Sequence, residues 1–353
     1  MKLEELGWCE PFISAFSELR IKDSLPGRIV WQGAFDYRVQ GEFGETNAEL
    51  SGKLKGGQLP AVGDWVALLP GSDGERGVIE ALFPRKNSFS RNSAGKTVHE
   101  QVSAANIDKV FIVCGLDRDF NLRRIERYIT LVYGSSASPV VVLTKVDLSE
   151  DPEGAILEVE SVAPGVPVHA VSGVTGKGMG ELELHITPGR TVAFLGSSGA
   201  GKSTLINRLL GREQMRVARV REGDGKGRHT TSHRELFLLP EGGAVIDTPG
   251  MREIQVWGDG EGLSEAFPEI EELSASCRFR DCRHESETGC TVRAAVESGV
   301  LNPERFASYL KLRAEFENFE RRQGQHARTQ ERKEGKRFAK MIREVDRYNP
   351  KRR

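Results

Sequence analysis

No apolar run in the sequence approaches the roughly 20 residues that a membrane span needs, so no membrane partner is expected. The start, MKLEELGWCEPF, lacks the basic beginning and apolar centre of a secretory signal. It reads instead as the beginning of a short amphipathic helix, and a cytoplasmic location is expected. Disulfides are not favoured either. Five cysteines are an odd number for a disulfide framework, and Cys277, Cys282 and Cys290 lie together beside a histidine. That grouping suits a metal in a reducing compartment. Nor does net charge name a partner, because 50 Lys/Arg against 51 Asp/Glu leave −1. Internal repeats are also missing.

The distribution of charge says more than its sum. From Phe319 to Arg353 there are 13 Lys/Arg and 5 Asp/Glu, so the tail carries +8 and the remainder −9. A basic tail on an acidic body points to a polyanion partner, although a solubilising extension has the same composition. With 353 residues, 38% apolar and 29% charged, the chain can bury real cores and is expected to form two or three domains.

Three textures follow one another. Residues 28–90 hold short β-branched and aromatic runs (GRIVWQGAFDYRV, AELSGKL, DWVALLP and RGVIEALF) separated by turn residues. These predict a small antiparallel barrel of the OB or SH3 kind, or a generic β-module. From about 105, the apolar runs KVFIVCGL, PVVVL, VPVHAV, RTVAFLG and GGAVI alternate with helical segments, which predicts parallel strands with crossovers. After about 262 the strands stop. The cysteine cluster follows, and then a segment with Phe306, Tyr309, Leu310 and Phe316 at helical spacing. The domains are therefore expected at 1–95, 96–260 and 261–353.

Gly196-Ser197-Ser198-Gly199-Ala200-Gly201-Lys202-Ser203 matches the phosphate-loop pattern, between the short strand TVAFL and a helix that begins at Lys202. The glycines let the backbone curl so that its N–H groups face a phosphate, and the helix N-terminus adds positive potential. Lys202 is expected to reach the β- and γ-phosphates, with Ser203 as a ligand of Mg²⁺ and Thr204 next in the chain.

Thr144-Lys145-Val146-Asp147 ends the strand PVVVL. A carboxylate there accepts two hydrogen bonds from guanine, at the ring N–H and the exocyclic amine, whereas adenine offers an acceptor at the ring position. The Lys145 stem can pack along the base. Ser172 and Gly173 follow the next apolar run and complete the base-binding pair of translation-factor-type GTPases. The order is unusual, because Asp147 precedes Gly196 by 49 residues. A pocket depends on strand positions in the sheet and not on chain order, so a circularly permuted chain can build it.

Asp247-Thr248-Pro249-Gly250 matches D-x-x-G, which places Asp247 near Mg²⁺ and the Gly250 amide near the γ-phosphate. Upstream, DGKGRHTTSH is Gly-rich and polar, as a loop that orders around Mg²⁺ would be. Thr230 or Thr231 is the expected ligand, with Thr231 favoured. The residue after D-x-x-G is Met251, which cannot orient water as the glutamine of Ras-like enzymes does. His229 could do so as a neutral imidazole, or could be a solvated loop residue.

Cys277, Cys282, His284 and Cys290 offer three thiolates and one imidazole, a closed tetrahedral set for one structural Zn²⁺ with no open position for catalysis. The remaining histidines (His99, His169, His185, His233 and His326) lack such neighbours in sequence and read as surface or core residues. Cys9 and Cys114 read as plain thiols.

Taken together, TKVD, GSSGAGKST, GRHTTS, DTPG and the cysteine cluster, behind an N-terminal β-barrel, resemble the family of ribosome small-subunit-dependent GTPase A. The resemblance covers nearly the whole chain. It implies a multidomain fold: an all-β OB-fold barrel, a central α/β P-loop GTPase domain that is circularly permuted, and a mostly helical zinc-binding domain. It also implies GTP hydrolysis stimulated by the small ribosomal subunit, a role in late maturation of that subunit, rRNA as partner, and His229 as the catalytic residue. The family's RHTTT loop stands here as Arg228-His229-Thr230-Thr231-Ser232. GTP and GDP are the expected ligands and a monomer the expected state. Two other readings compete: an ATP-using enzyme, which Asp147 opposes, and a nucleotide-gated rRNA-binding protein whose hydrolysis is incidental.

Overall fold

The computed structural model describes residues 1–33, 36–54, 57–71, 75–92, 100–213, 234–247, 261–319 and 321. Five strands form the N-terminal unit: β1 (Leu25–Gln32), β2 (Tyr37–Gly41), β3 (Gly44–Leu50), β4 (Trp65–Leu69) and β5 (Gly77–Leu82). Their order is β1-β2-β3-β5-β4, and β1 also pairs with β4, so the sheet closes on itself. The pairing of β3 with β5 is parallel, and the other pairs are antiparallel. This closed five-stranded order is that of an OB-fold and selects it over the SH3 alternative, and the parallel pair corrects the expectation of an all-antiparallel barrel. GRIVWQGAFDYRV is two strands and not one, because the chain reverses after Gln32 and β1 and β2 pair as a hairpin.

The interior of the barrel holds Ile29, Val39, Val66, Leu68 and Ile79. One end is sealed from outside. A 3-10 turn (Leu3–Leu6) precedes α1 (Phe12–Leu19), and Leu6, Phe12, Trp65 and Phe83 form one buried cluster there. Trp8 packs on that cluster, with its ring 4.7 Å from that of Trp65 and tilted against it. The amphipathic start read from the sequence is thus a 3-10 turn, with the α-helix one step later.

A two-stranded hairpin, β6 (Ser88–Asn92) and β7 (Glu100–Ala105), leads on to β8 (Lys109–Gly115). The strands and helices that follow are α2 (Leu122–Tyr133), β9 (Ser138–Thr144), α3 (Pro152–Val162), β10 (Val168–Ala170), α4 (Met179–Glu183), β11 (Thr191–Gly196), α5 (Lys202–Leu210), β12 (Arg234–Leu238) and β13 (Ala244–Asp247). Side-chain caps start two of the helices, with Asn121 accepting from the Arg124 amide and Asp151 from the Gly154 amide. The strands stand in the order β10-β9-β8-β11-β13-β12, parallel except for β12. Their fully apolar runs (VVVL, VAFL, VFIV) fit a sheet covered on both faces. Connections leave β8 in one direction and β11 in the other, so a crevice opens between them at the carboxyl edge.

One relationship was not legible in the sequence. β12 pairs with β1 of the barrel, Trp31 opposite Glu235 and Gln32 opposite Arg234, so the barrel and the nucleotide sheet are one continuous eleven-stranded sheet.

The C-terminal unit is helical: α6 (Glu261–Ala266), α7 (Pro268–Ser274), α8 (Thr291–Glu297) and α9 over residues 303–319. Tyr309 and Phe316 of α9 are buried, with Phe306 and Leu310 packed beside them, as their spacing predicted. Among the described residues no helix is long and apolar enough to cross a membrane.

Candidate nucleotide site and metal centre

The phosphate loop leaves β11 at Gly196 and enters α5 at Lys202. Two glycines have no substitute here. A Cβ on Gly196 would stand 2.2 Å from the Val113 carbonyl oxygen, and Gly201 caps α5 with φ +100°, where side chains are rarely tolerated. The Lys202 ammonium donates to the carbonyls of Gly196 (2.7 Å) and Ser197 (2.6 Å) and so arches back over the loop. Ser198 and Gly199 are exposed at the tip, whereas Ala200 is buried against the sheet.

Three loops meet at this edge. The Thr144 hydroxyl donates to the Ala200 carbonyl at 2.5 Å, which ties the TKVD turn to the phosphate loop. The Val146 amide donates to the Val171 carbonyl at 3.3 Å, which ties the same turn to the loop holding Ser172 and Gly173. Ser172 is buried, and its hydroxyl accepts from the Thr175 amide, closing a tight turn. Gly173 lies against Thr204 of α5. Asp147 is exposed, with its carboxylate open to a ligand, and Ser203 is half-buried in the first turn of α5.

Asp247 ends β13, opposite Glu235 of β12. Burial raises its carboxyl above the ordinary value; Lys202 works against this and Glu235 adds to it. A half-buried carboxylate near a lysine and the phosphate loop is suited to a cation. His229, Thr230, Thr231, Thr248, Pro249, Gly250 and Met251 lie outside the described residues.

Away from the nucleotide edge, the donor atoms of Cys277, Cys282, His284 and Cys290 all lie within 4.8 Å of one another. The Cys277 and Cys290 sulfurs are 4.0 Å apart, and His284 Nδ1 is 3.7 Å and 3.3 Å from them. Tetrahedral zinc, with bonds of about 2.3 Å to sulfur and 2.0–2.1 Å to nitrogen, needs separations of about 3.8 and 3.6 Å, so the set fits. Burial, then the neighbouring Arg313, pushes the His284 pKa down, which favours the neutral ring that a metal requires. Burial opposes the Cys277 thiolate, but the Val292 and Thr291 amides outweigh it and lower its pKa.

With this geometry in view, the family model described as RsgA GTPase matches residues 82–257, from the last barrel strand through the nucleotide sheet. A protein of Opitutus terrae named Small ribosomal subunit biogenesis GTPase RsgA is 47% identical over 89% of this chain and 90% of its own length. The chain belongs to the RsgA GTPase family. It is a GTP-hydrolysing enzyme of the circularly permuted kind. The like-named protein of Syntrophotalea carbinolica is 46% identical over 90% of each chain. Among solved structures, that of YjeQ from Thermotoga maritima aligns with a TM-score of 0.63 and 28% identity, over 83% of this chain and 98% of that one. YloQ, titled a circularly permuted GTPase, aligns with a TM-score of 0.63 and 25% identity, over 85% and 97%.

Within this RsgA GTPase fold, the loop between β8 and α2 is a part of the site that the sequence reading missed. Asp119 accepts from the Ser197 hydroxyl of the phosphate loop at 2.5 Å and pairs with Arg124. Asp117 pairs with Lys145 of TKVD at 2.6 Å. No motif marks these carboxylates; only their position at the end of β8 does. Two histidines distant in sequence are also brought together. His169 and His185 are not isolated, because their Nε2 atoms lie 2.8 Å apart, with Glu181 on the outer nitrogen of His169 and Lys109 on that of His185. Cys114 is a buried thiol that donates to the Asp119 carbonyl, and Cys9 accepts from the Lys86 ammonium at 3.1 Å.

Proposed function

We propose that this enzyme binds the small ribosomal subunit and assists its late maturation, with GTP hydrolysis stimulated by the subunit. The observation that carries the reading is the meeting of the phosphate loop and the TKVD turn at one sheet edge, in a chain 47% identical to a protein named for small-subunit biogenesis.

In this reading the N–H groups of Gly196, Ser197, Ser198, Gly199, Ala200, Gly201, Lys202 and Ser203 cradle the β-phosphate, with Thr204 behind them. Lys202 turns from its own loop carbonyls to the β- and γ-oxygens. The exposed Asp147 takes the guanine ring N–H and amine. Lys145 lies along the base, and Thr144, Val146, Ser172 and Gly173 shape the pocket around it. Mg²⁺ would be held by Ser203, Thr231 and Asp247, and when bound it neutralises charge on the β- and γ-oxygens. The Gly250 amide faces the γ-phosphate. His229 orients the attacking water in place of the residue at Met251, whose thioether cannot.

Zn²⁺, one per chain, would be held by Cys277, Cys282, His284 and Cys290 in a structural role. We keep the division at 1–95, 96–260 and 261–353, with the β6–β7 hairpin straddling the first joint. The barrel and the basic tail supply the surface for rRNA, and the enzyme works as a monomer in the cytoplasm. The D-x-x-G segment stands ten residues before α6 in the chain, a short connection by which nucleotide state reaches the C-terminal helices.

The test compares GTP turnover with and without small ribosomal subunits, and asks whether ATP displaces labelled GTP. The proposal expects a large stimulation and no displacement. A flat rate despite subunit binding favours a nucleotide-gated rRNA-binding protein, and equal displacement by ATP removes guanine recognition.

A further inference from the structure

Lys145 is held by a residue that no motif includes. It follows β9 with a left-handed backbone (φ +62°) that turns its side chain toward the β8–α2 loop. There its ammonium donates to Asp117 Oδ2 at 2.6 Å. The stem crosses Gly115, where an added Cβ would stand 3.3 Å from Lys145 Cε and Nζ and 2.7 Å from Asp117 Oδ1. Both Asp117 oxygens are engaged, since Oδ1 accepts from the Asp119 amide at 3.1 Å. Asp119 in turn holds Ser197, and the Leu116 amide donates to the Thr144 carbonyl at 2.8 Å. The carboxylate that grips Lys145 is thus fixed by the same loop that touches the phosphate loop.

We infer that Asp117 is a positioning residue for guanine recognition, which holds the Lys145 stem flat over Gly115 as a preformed shelf for one face of the base. The inference rests on the guanine-reading role given to Lys145 and Asp147 above. A free lysine side chain samples many rotamers, and ordering it opposes binding. Here the ion pair imposes that order before the nucleotide arrives, so binding does not have to. The pair is only partly screened from water, with side-chain exposures of 23% for Lys145 and 38% for Asp117. Its value therefore lies in orientation more than in Coulomb energy. Burial opposes ionisation of Asp117, but Lys145 and the Asp119 amide outweigh it and keep its pKa below the ordinary value.

The experiment measures dissociation constants of fluorescent GDP and ADP for the full-length wild type, Asp117→Asn, Asp117→Ala, Lys145→Ala and the Asp117→Ala/Lys145→Ala double variant. The expected result is a five- to tenfold loss of GDP affinity in Asp117→Ala, carried by faster release, and a smaller loss in Asp117→Asn. Asp117→Ala should have no further effect on GDP affinity once Lys145 is alanine. Wild-type GDP affinity retained in both Asp117 variants overturns the inference, as does the same loss with and without Lys145. If the wild type binds ADP as tightly as GDP, the guanine reading itself fails and the inference falls with it. Selectivity for GDP with indifferent Asp117 variants removes the inference alone.

Discussion

Arg305 of α9 and Glu126 of α2 meet at 3.0 Å with both side chains almost completely buried. The same guanidinium donates to the carbonyls of Val162 (2.6 Å) and Ala266 (2.8 Å) and pairs with Glu269. One arginine therefore fastens the C-terminal helices to α2 and α3 of the nucleotide domain. Removing Arg305 leaves the buried Glu126 carboxylate without its cation, a change that costs about 3–5 kcal/mol, whereas removing Glu126 leaves Arg305 paired with Glu269 and costs less. Arg305→Ala should lower the unfolding free energy by that order and Glu126→Ala by less, both read from denaturant titrations. The double variant should lose clearly less than the sum. Additive losses would show that the two residues act separately.

Asp147→Asn tests the base reading by exchange of chemistry. Xanthine carries a carbonyl where guanine carries its exocyclic amine, and an amide can donate to it where a carboxylate cannot. The variant should lose GTP affinity by about a hundredfold, as expected when buried hydrogen-bonding groups are left unpaired, and should gain affinity for XTP. A competition titration with both nucleotides checks this, and unchanged preference for GTP would remove Asp147 from the pocket.

The metal centre makes its own prediction. Cys290 caps α8 through its sulfur, which accepts from the Arg293 amide, and Glu285 in the same loop pairs with Arg313 of α9. Stripping the metal with a strong chelator should release a single equivalent of zinc and loosen residues 277–297, read as faster amide exchange there. Cys277→Ser should purify with little zinc. Full protection after chelation would contradict the assignment.

The His169–His185 pair predicts a pH dependence of stability. Partial burial, Lys109 and His169 hold the His185 pKa below its ordinary value. The unfolded chain takes up a proton near pH 6.5 while the folded chain resists it, so stability should fall as the pH drops below about 6.5. His185→Gln should reduce that dependence. Denaturation midpoints at about pH 7.5 and pH 5.5 measure the difference, and equal slopes in the two proteins would contradict it.

The sequence was most readable where chemistry is local. The phosphate loop fixed both its own place and the first turn of α5, because glycine conformations and amide directions are properties of adjacent residues. The cluster that could hold a metal was readable for the same reason, since all four residues stand from Cys277 to Cys290. The hydrophobic spacing of α9 placed its buried face. What was hidden depends on distant pairings. The β1–β12 ladder joins residues about two hundred apart, and neither strand pattern names its partner. The break in GRIVWQGAFDYRV was masked by continuous β-propensity across the turn. Asp117 and Asp119 look like ordinary loop acids until Lys145 and Ser197 are brought beside them.

The most direct test of the account is single-turnover GTP hydrolysis by the wild type and His229→Ala, each with and without purified small ribosomal subunits. The account predicts slow intrinsic hydrolysis and strong stimulation by subunits in the wild type. His229→Ala should lose most of that stimulation while binding GTP about as tightly. A wild-type rate that does not respond to subunits would contradict the account, and full stimulation in His229→Ala would remove that residue from it.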